Sequence, residues 1–340
     1  MKRFAGHQRD LELRNSTAYL AEFPDPDDAV TLVEVDQPIY AEALRLLGQP
    51  AAALLAEWPL DAESLAGSAA TELSWLNSKR QVRAVIQGTY GSFGVASVLP
   101  VCGPGRRTLG NLLRAPFRMD RLMADPIHHG VERIRLADQA VSLPWLIDAR
   151  EMVPPSNAAG VAEDTLFATL LRQLDPEACF AYVPSLIGHH QMQRQDRVRD
   201  SLLPIGFGAN HFLAQQLQIA PRVSGVGASA RMRNLVDWFG DWAAIDDPAL
   251  SRLATRWWNE ERANACSRLT EALALAPQAP AEWQDFVRRM RAANQKIELS
   301  LDPTDLASLR RAIAQTRVAL SVWPELFECF RIKPIEHRLE

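Results

Sequence analysis

Strand-forming and helix-forming patterns occupy different parts of the chain, and this division restricts the fold more than any other feature. Up to about residue 195, runs rich in β-branched and aromatic residues, such as Gln81–Gly88 and Ala178–Ile187, end at glycine or polar turns, as strands do. Beyond that point apolar residues recur at helical spacing. The sequence therefore predicts an α/β region over residues 1–195 and an all-helical domain over residues 196–340.

The same patterns predict the remaining elements. The runs "GVASVLPV" (94–101) and "QAVSLPWLIDAR" (139–150) are predicted strands. An early helix is expected after Asp36, whose carboxylate would cap it, with Pro38 in its first turn. The helices predicted in the second region are 202–219, 230–242, 248–275, 281–297 and 304–323.

Composition excludes several classes of protein. The formal net charge is -4 at pH 7, whereas proteins that bind nucleic acid through its phosphate backbone are usually basic. The four cysteines are scattered without a C-x-x-C pair, which indicates neither a zinc site nor a disulfide framework. No apolar stretch approaches the roughly 18 residues of a membrane span, and "MKRFAGHQRDLELRN" has no signal-peptide core. We expect a cytoplasmic protein with no membrane span and no nucleic-acid partner.

Two adjacent acids, Glu163 and Asp164, stand where a helix is predicted to begin, in "GVAEDTLFATLLRQLDP" (160–176). Acids in a first helical turn are favoured by the positive end of the helix dipole, so both have an ordinary structural explanation. A catalytic role would need a close approach for a substrate, which Gly160 would allow. The buried stripe of the helix is predicted to be Leu166, Phe167, Leu170, Leu171 and Leu174.

Polar residues follow the predicted strands on both sides of this helix. The strand 139–150 ends with Asp148 and Arg150, which are candidate substrate contacts together with Gly160. The strand Ala178–Ile187 runs into His189 and His190, candidate metal ligands. Adjacent residues of an extended chain point to opposite faces, so one histidine at most would serve a given site.

From about Val82 to His190, the order of elements resembles the acceptor-side half of a GT-A-type glycosyltransferase of the family 2 kind. The matching segments are "VRAVIQGTYGSFGVASVLP", "SLPWLIDAREMVPP", "NAAGVAEDTLFATLLRQLDP" and "EACFAYVPSLIGHH", which together span about a third of the chain. The resemblance implies a GT-A-like, partial mixed sheet with flanking helices in the α/β region.

The resemblance also implies roles for individual residues. In such enzymes the Asp of a Glu-Asp pair is the general base that deprotonates the acceptor hydroxyl, which assigns the catalytic position to Asp164, with Glu163 beside it. A histidine after the last strand can help to bind a divalent ion, Mn²⁺ or Mg²⁺, on the diphosphate of the donor, which points to His189 or His190. The implied function is inverting sugar transfer from a nucleotide-sugar to an unidentified acceptor.

The nucleotide-binding part of a GT-A enzyme is not matched. Such enzymes open with a βαβ region and carry a D-x-D motif after a buried strand, whereas Asp25-Pro26-Asp27 lies in a proline-rich segment. We therefore expect an incomplete or split enzyme, with a second chain supplying the donor half. The alternative is a non-catalytic binding or partner subunit that retains the acceptor-side fold.

Overall fold

The computed structural model divides the chain into two compact units of interleaved segments. Unit 1 comprises Met1–Ile147, Cys179–Gly206 and Trp257–Glu298, and unit 2 comprises Asp148–Ala178, Phe207–Arg256 and Leu299–Glu340. The two continuous domains expected on either side of residue 195 stay a prediction. The structure describes residues 2–4, 11–13, 20–22, 32–34, 40–57, 79–91, 113, 128–130, 134–137, 145–156, 160–189, 202–220 and 224–332.

Unit 1 is built on a mixed β-sheet. Its strands are β1 (Lys2–Phe4), β2 (Leu11–Leu13), β3 (Leu20–Glu22), β4 (Leu32–Glu34), β5 (Gln81–Gly91), β6 (His128–Gly130), β7 (Ile134–Ala137), β8 (Trp145–Ile147) and β9 (Ala178–His189). The main order is β2-β7-β9-β5-β6-β3, with β1 beside β4 and β9, and β8 beside β5. Strands β2 and β7 are parallel, whereas β7 and β9, and β5 and β8, are antiparallel.

The core of unit 1 lies between one face of this sheet and two short helices, α1 (Ala41–Leu46) and α2 (Ala51–Glu57). Alternate residues of β9 reach this core, because successive side chains of a strand point to opposite faces. The residues of β9 in the core are Cys179, Ala181 and Val183. The turn between the two helices pairs with β5, since the Gly48 N–H donates to the Val82 carbonyl oxygen at 2.8 Å. The predicted strands at the positions of β5 and β9 are confirmed.

Two sequence predictions in unit 1 and its border need correction. Helix α1 begins at Ala41, and its N-cap is Tyr40 without a side-chain bond, so the prediction of a helix capped by Asp36 is wrong. The predicted strand 139–150 is shorter in the described residues, where β8 ends at Ile147. It ends there because Asp148 Oδ1 accepts the Arg150 backbone N–H at 3.1 Å, which removes that donor from a strand ladder. Residues 94–101 and 139–144 lie outside the described residues.

The rest of the described chain is mostly helical, as predicted for the C-terminal region. The helices are α3 (Glu163–Leu174), α4 (Ala209–Ile219), α5 (Ala228–Ala244), α6 (Asp247–Leu275), α7 (Ala281–Asn294) and α8 (Pro303–Ile332). Helix α4 begins later than predicted because Pro204, Gly206 and Gly208 precede it, and these residues disfavour a helix interior. Helix α8 continues beyond the predicted end at Trp323, through Pro324.

Unit 2 packs its helices around aromatic side chains. The ring of Phe212 on α4 meets Trp242 on α5 edge-on, with 5.4 Å between ring centroids. The ring centroids of Trp238 and Trp242, which share one face of α5, lie 5.4 Å apart. The indole N–H of Trp323 on α8 donates to the Val153 carbonyl oxygen at 2.6 Å, which fixes the segment that leads towards α3. The helices of unit 2 therefore hold the segment on which the candidate site residues lie.

Candidate functional site

A left-handed turn leads into α3. Gly160 has φ 91° and Ala162 has φ 67°, both in the region that side chains with a Cβ rarely adopt. Ala162 is the N-cap and provides no side-chain hydrogen bond, so the first N–H groups of the helix need other acceptors. The helix starts at Glu163, as the sequence predicts, and the five apolar residues of its predicted stripe are buried.

The two acids of the first turn differ in their surroundings. Glu163 is exposed, whereas Asp164 is half-buried. Oδ1 of Asp164 accepts the Thr165 backbone N–H at 2.7 Å and lies 3.4 Å from the Thr165 hydroxyl oxygen, which donates to it. In the described part of the chain, Asp164 makes no ion pair and Oδ2 receives no hydrogen bond. One oxygen of this carboxylate is therefore held in place and the other is open to an incoming donor.

A buried asparagine on α4 braces the turn before α3. Asn210 is 2% exposed, and its Nδ2 donates to the Val161 carbonyl oxygen at 3.2 Å. A Cβ at Gly160 would lie 3.1 Å from the same Nδ2, which is tighter than an ordinary contact. Glycine is therefore favoured at position 160 for two reasons, its positive φ and the close approach of Asn210.

Helices α3 and α4 lie side by side and run in the same direction. Asn210 at the start of α4 contacts the residue pair before α3, while Gln173 near the end of α3 donates to the Leu217 carbonyl oxygen near the end of α4 at 2.7 Å. Two parallel helices bring the positive ends of both dipoles together, which favours negative charge at that end. Glu163 and Asp164 lie at this end of the pair.

Asp148 and Arg150 form a closed ion pair in the same unit. Arg150 donates from Nε to Oδ1 of Asp148 at 2.9 Å and from Nη2 to Oδ2 at 2.7 Å. The Asp148 side chain is buried, while that of Arg150 is 74% exposed. The hydrogen bonds from Asp148, and then its charge, raise the pKa of Arg150 above its ordinary value. Arg150 is therefore a fixed, permanently charged guanidinium at the surface of unit 2.

Of the two predicted metal ligands, His189 ends β9 by its backbone, and its side chain, like all of His190, lies outside the described residues. Within the described residues no three His, Cys, Asp or Glu side chains are grouped as a metal site would require. The expectation of Mn²⁺ or Mg²⁺ at these histidines stays a prediction, and no step proposed below depends on a metal ion.

Sequence reasoning missed two residues that fix α3 at its ends. Asn210 fixes the turn before the helix, and Arg231 of α5 donates from Nε to the Leu174 carbonyl oxygen at 2.6 Å at the other end. A cation at a helix C-terminus interacts favourably with the dipole and satisfies an orphan carbonyl. The glycines in "GFGANHF" (206–212) were the available sign that α4 starts near Asn210.

No family model, curated protein or solved structure matches this chain. Among the helices of the described ranges, none combines the length and the apolar character needed to cross a membrane.

Proposed function

We propose that the chain takes part in sugar transfer from a nucleotide-sugar to a hydroxyl acceptor, with inversion at the anomeric carbon. The acceptor oxygen forms a bond to the anomeric carbon while the bond from that carbon to the diphosphate oxygen breaks. The nucleoside diphosphate leaves with the electron pair, and the acceptor proton passes to the carboxylate of Asp164. This is general-base catalysis at the acceptor.

One observation carries this proposal: the two oxygens of Asp164 are used differently. Thr165 holds Oδ1, while Oδ2 has no hydrogen-bond partner in the described part of the chain, on a residue that is half-buried. A general base needs a fixed carboxylate with an oxygen within hydrogen-bond reach of the substrate proton. Asp164 has both features that do not depend on the substrate: one oxygen is held in place, and the other receives no hydrogen bond from the described residues.

The neighbouring candidates have supporting roles in this proposal. Gly160 gives the acceptor close access to the turn before α3, because it has no Cβ. Glu163 adds a second negative charge at the same helix end. Arg150 uses Nε and Nη2 to bind Asp148, which leaves Nη1 for an anionic group of a substrate.

The alternative is a non-catalytic binding or partner subunit. It is favoured by the hydrogen bond that holds Oδ1 of Asp164. The bond from the Thr165 N–H to Asp164 is what a structural acid at a helix start provides. In that case Asp164 stabilises α3, and the chain binds a second protein that carries the donor site.

An exchange of one side chain separates the two functions. The chain is incubated with uridine-, guanosine- and thymidine-diphosphate sugars, with Mn²⁺ and with Mg²⁺, and the release of nucleoside diphosphate is measured with simple sugars or water as acceptors. Asp164→Asn keeps an oxygen for the Thr165 N–H but removes the base, so we expect the rate to fall by about 10²–10⁴. Binding of the same nucleotide-sugars is measured by calorimetry.

The matched control is Asp237→Asn, the same change at an exposed position on α5. We expect it to leave the rate unchanged. If the chain alone neither binds nor turns over a nucleotide-sugar under any of these conditions, it is not a complete transferase, as expected when a second chain supplies the donor half. If it stays inactive when a chain with a donor half is added, the transferase proposal is wrong and the binding subunit is favoured. If the chain is active and Asp164→Asn is as active as the wild-type chain, the base has been assigned to the wrong residue.

A further inference from the structure

A row of exposed apolar side chains runs along the C-terminal half of α8. Val318, Val322, Leu326 and Phe330 follow one another at intervals of four residues, and they are 62%, 46%, 43% and 66% exposed. Residues four apart are neighbours on a helix surface, so the four side chains form one continuous ridge. Single exposed apolar residues are common, whereas a continuous row of them marks an interaction surface. We refer to these four residues as the α8 stripe.

Val318 and Val322 lie on the side of α8 that faces away from unit 2, and Leu326 and Phe330 continue the row as it winds around the helix. The opposite side of the helix is buried against the other helices of the unit. The residues buried there are Leu309, Ile313, Thr316, Leu320 and Phe327. The stripe is therefore presented by a helix whose orientation is fixed by its own core.

The two halves of the exposed face complement each other in size. The N-terminal half carries Ala307 and Ala314, which are exposed and small, where the C-terminal half carries the large side chains of the stripe. Two copies of α8 that cross in opposite directions at Val318 place Val322 of one copy opposite Ala314 of the other. A larger side chain then meets a small one at this pair on both sides of the crossing point, as ridges-into-grooves packing favours.

The charges on this face complement each other in the same arrangement. Arg311 and Glu325 lie seven residues before and after Val318, which is close to two helical turns, so all three share one side of α8. Both are exposed, and neither makes an ion pair within the described ranges. An antiparallel crossing at Val318 brings Arg311 of each copy opposite Glu325 of the other. A parallel arrangement would instead bring like charges together.

We propose that the α8 stripe binds a second copy of this chain, in an antiparallel, two-fold symmetric dimer centred on Val318. A two-fold interface uses the same patch on both subunits, and it therefore needs a surface that is complementary to itself in size and charge. The exposed face of α8 has both properties. One helix from each copy forms a small interface, so the dimer should dissociate at concentrations on the order of micromolar.

The first test measures mass against concentration. Sedimentation equilibrium of the full chain from about 1 to about 200 µM should show a shift from the 37.9 kDa monomer towards twice that mass. Val322→Glu places a charge one helical turn from the centre of the contact, opposite Ala314, and should abolish the shift, while its thermal unfolding at low concentration matches that of the wild-type chain. The control is Val226→Glu, the same change at a side chain that is 99% exposed on a loop of unit 2. It should dimerise like the wild-type chain.

The second test establishes the direction of the helices. Arg311→Glu alone and Glu325→Arg alone should each weaken the dimer at least tenfold, because each puts like charges opposite one another. The double variant with both changes should restore the wild-type dissociation constant, because it exchanges the signs of both pairs. Arg252→Glu, at an exposed position on α6, controls for net charge and should have no effect.

Three results would overturn the proposal. The first is a chain that stays monomeric over the whole concentration range, which would mean that the stripe binds a different protein. The second is a Val322→Glu variant that still dimerises. The third is a double charge exchange that fails to restore the dimer. None of them bears on the role of Asp164, which lies on α3.

Discussion

The side-chain amide of Asn210 and the backbone carbonyl of Val161 are joined by a hydrogen bond of 3.2 Å, formed at a side chain that is 2% exposed. Through this bond, the first turn of α4 fixes the turn that precedes Glu163 and Asp164. The donor is a buried side-chain amide, and a buried amide needs an acceptor, which the exposed residue Val161 provides. The position of the acidic pair therefore depends on this contact.

Replacement of Asn210 should therefore destabilise unit 2. We expect Asn210→Ala to lower the free energy of unfolding by about 0.5–1.5 kcal/mol, since it removes a hydrogen bond made by a buried side chain. The measurement is urea denaturation followed by circular dichroism. The control is Asn234→Ala, which removes an exposed bond of 2.7 Å to the Ser224 carbonyl oxygen and should cost clearly less, because water can replace it. Equal losses for the two variants would contradict the role given to Asn210.

Gly160 and Ala162, the two residues with positive φ before α3, should respond differently to an exchange of glycine and alanine. Gly160→Ala adds a Cβ at φ 91° and 3.1 Å from Asn210, so we expect a loss of about 1–2 kcal/mol. Ala162→Gly relieves the strain at φ 67°, but it loses a buried methyl group worth about 0.8 kcal/mol and frees the unfolded chain. These terms nearly cancel.

The comparison is made on the same urea curves. Gly160→Ala should shift the unfolding midpoint to lower urea, whereas Ala162→Gly should leave it close to the wild-type value. A Gly160→Ala variant as stable as the wild-type chain would show that the turn adopts another conformation in solution.

The sequence was sufficient for features that depend on local periodicity. The apolar spacing of Leu166, Leu170 and Leu174 predicts α3 and its buried side, because the helical period alone decides which side chains meet the core. The start of α3 at the acidic pair was predictable as well, because acids are favoured at the positive end of a helix dipole. The long helices of the C-terminal region are predictable for the same physical reason.

Features that depend on single long-range contacts could not be predicted. The bond from Asn210 to Val161 joins residues 49 positions apart and has no periodic signature in the sequence. The end of β8 at Ile147 could not be predicted for another reason: it depends on a local bond from the Arg150 backbone N–H to Asp148, two residues before it, which competes with the strand ladder. The interleaving of the two units likewise follows from packing between distant segments.

A buried arginine should contribute more to unit 1 than the exposed lysine beside it. Arg262 of α6 is 1% exposed and donates from Nη1 to Oε1 of Glu298 at 3.0 Å and from Nη2 to the Ala293 carbonyl oxygen at 3.1 Å. Its guanidinium also lies 5.6 Å from the ring centroid of Trp258. Lys296 binds the same glutamate at 3.2 Å with a side chain that is 73% exposed.

We expect Arg262→Met to lower the free energy of unfolding by about 1–3 kcal/mol, because hydrogen bonds to a charged group are lost in a buried place. Lys296→Met should change it by no more than about 0.5 kcal/mol, as is usual for exposed ion pairs. Both are measured by urea denaturation at neutral pH. If Lys296→Met costs as much as Arg262→Met, burial does not decide the strength of this pair.

The same cluster should make the stability of the chain depend on pH. Hydrogen bonds from Arg262 and then from Lys296 lower the pKa of Glu298 below its ordinary value. A carboxylate whose pKa is lower in the folded state than in the unfolded chain stabilises the fold above the unfolded pKa, which is about 4.3 for glutamate. That contribution is lost as the pH falls through this value towards the folded pKa.

Glu298→Gln cannot titrate, so it should be less stable than the wild-type chain at pH 7, and the difference should shrink as the pH is lowered below about 4. Urea midpoints measured at intervals from pH 7 to pH 3 test this, with Glu282→Gln at an exposed position of α7 as the control, which should show a small difference at every pH. A Glu298→Gln difference that stays constant down to pH 3 would mean that the arginine and the lysine do not hold this carboxylate ionised in the folded chain.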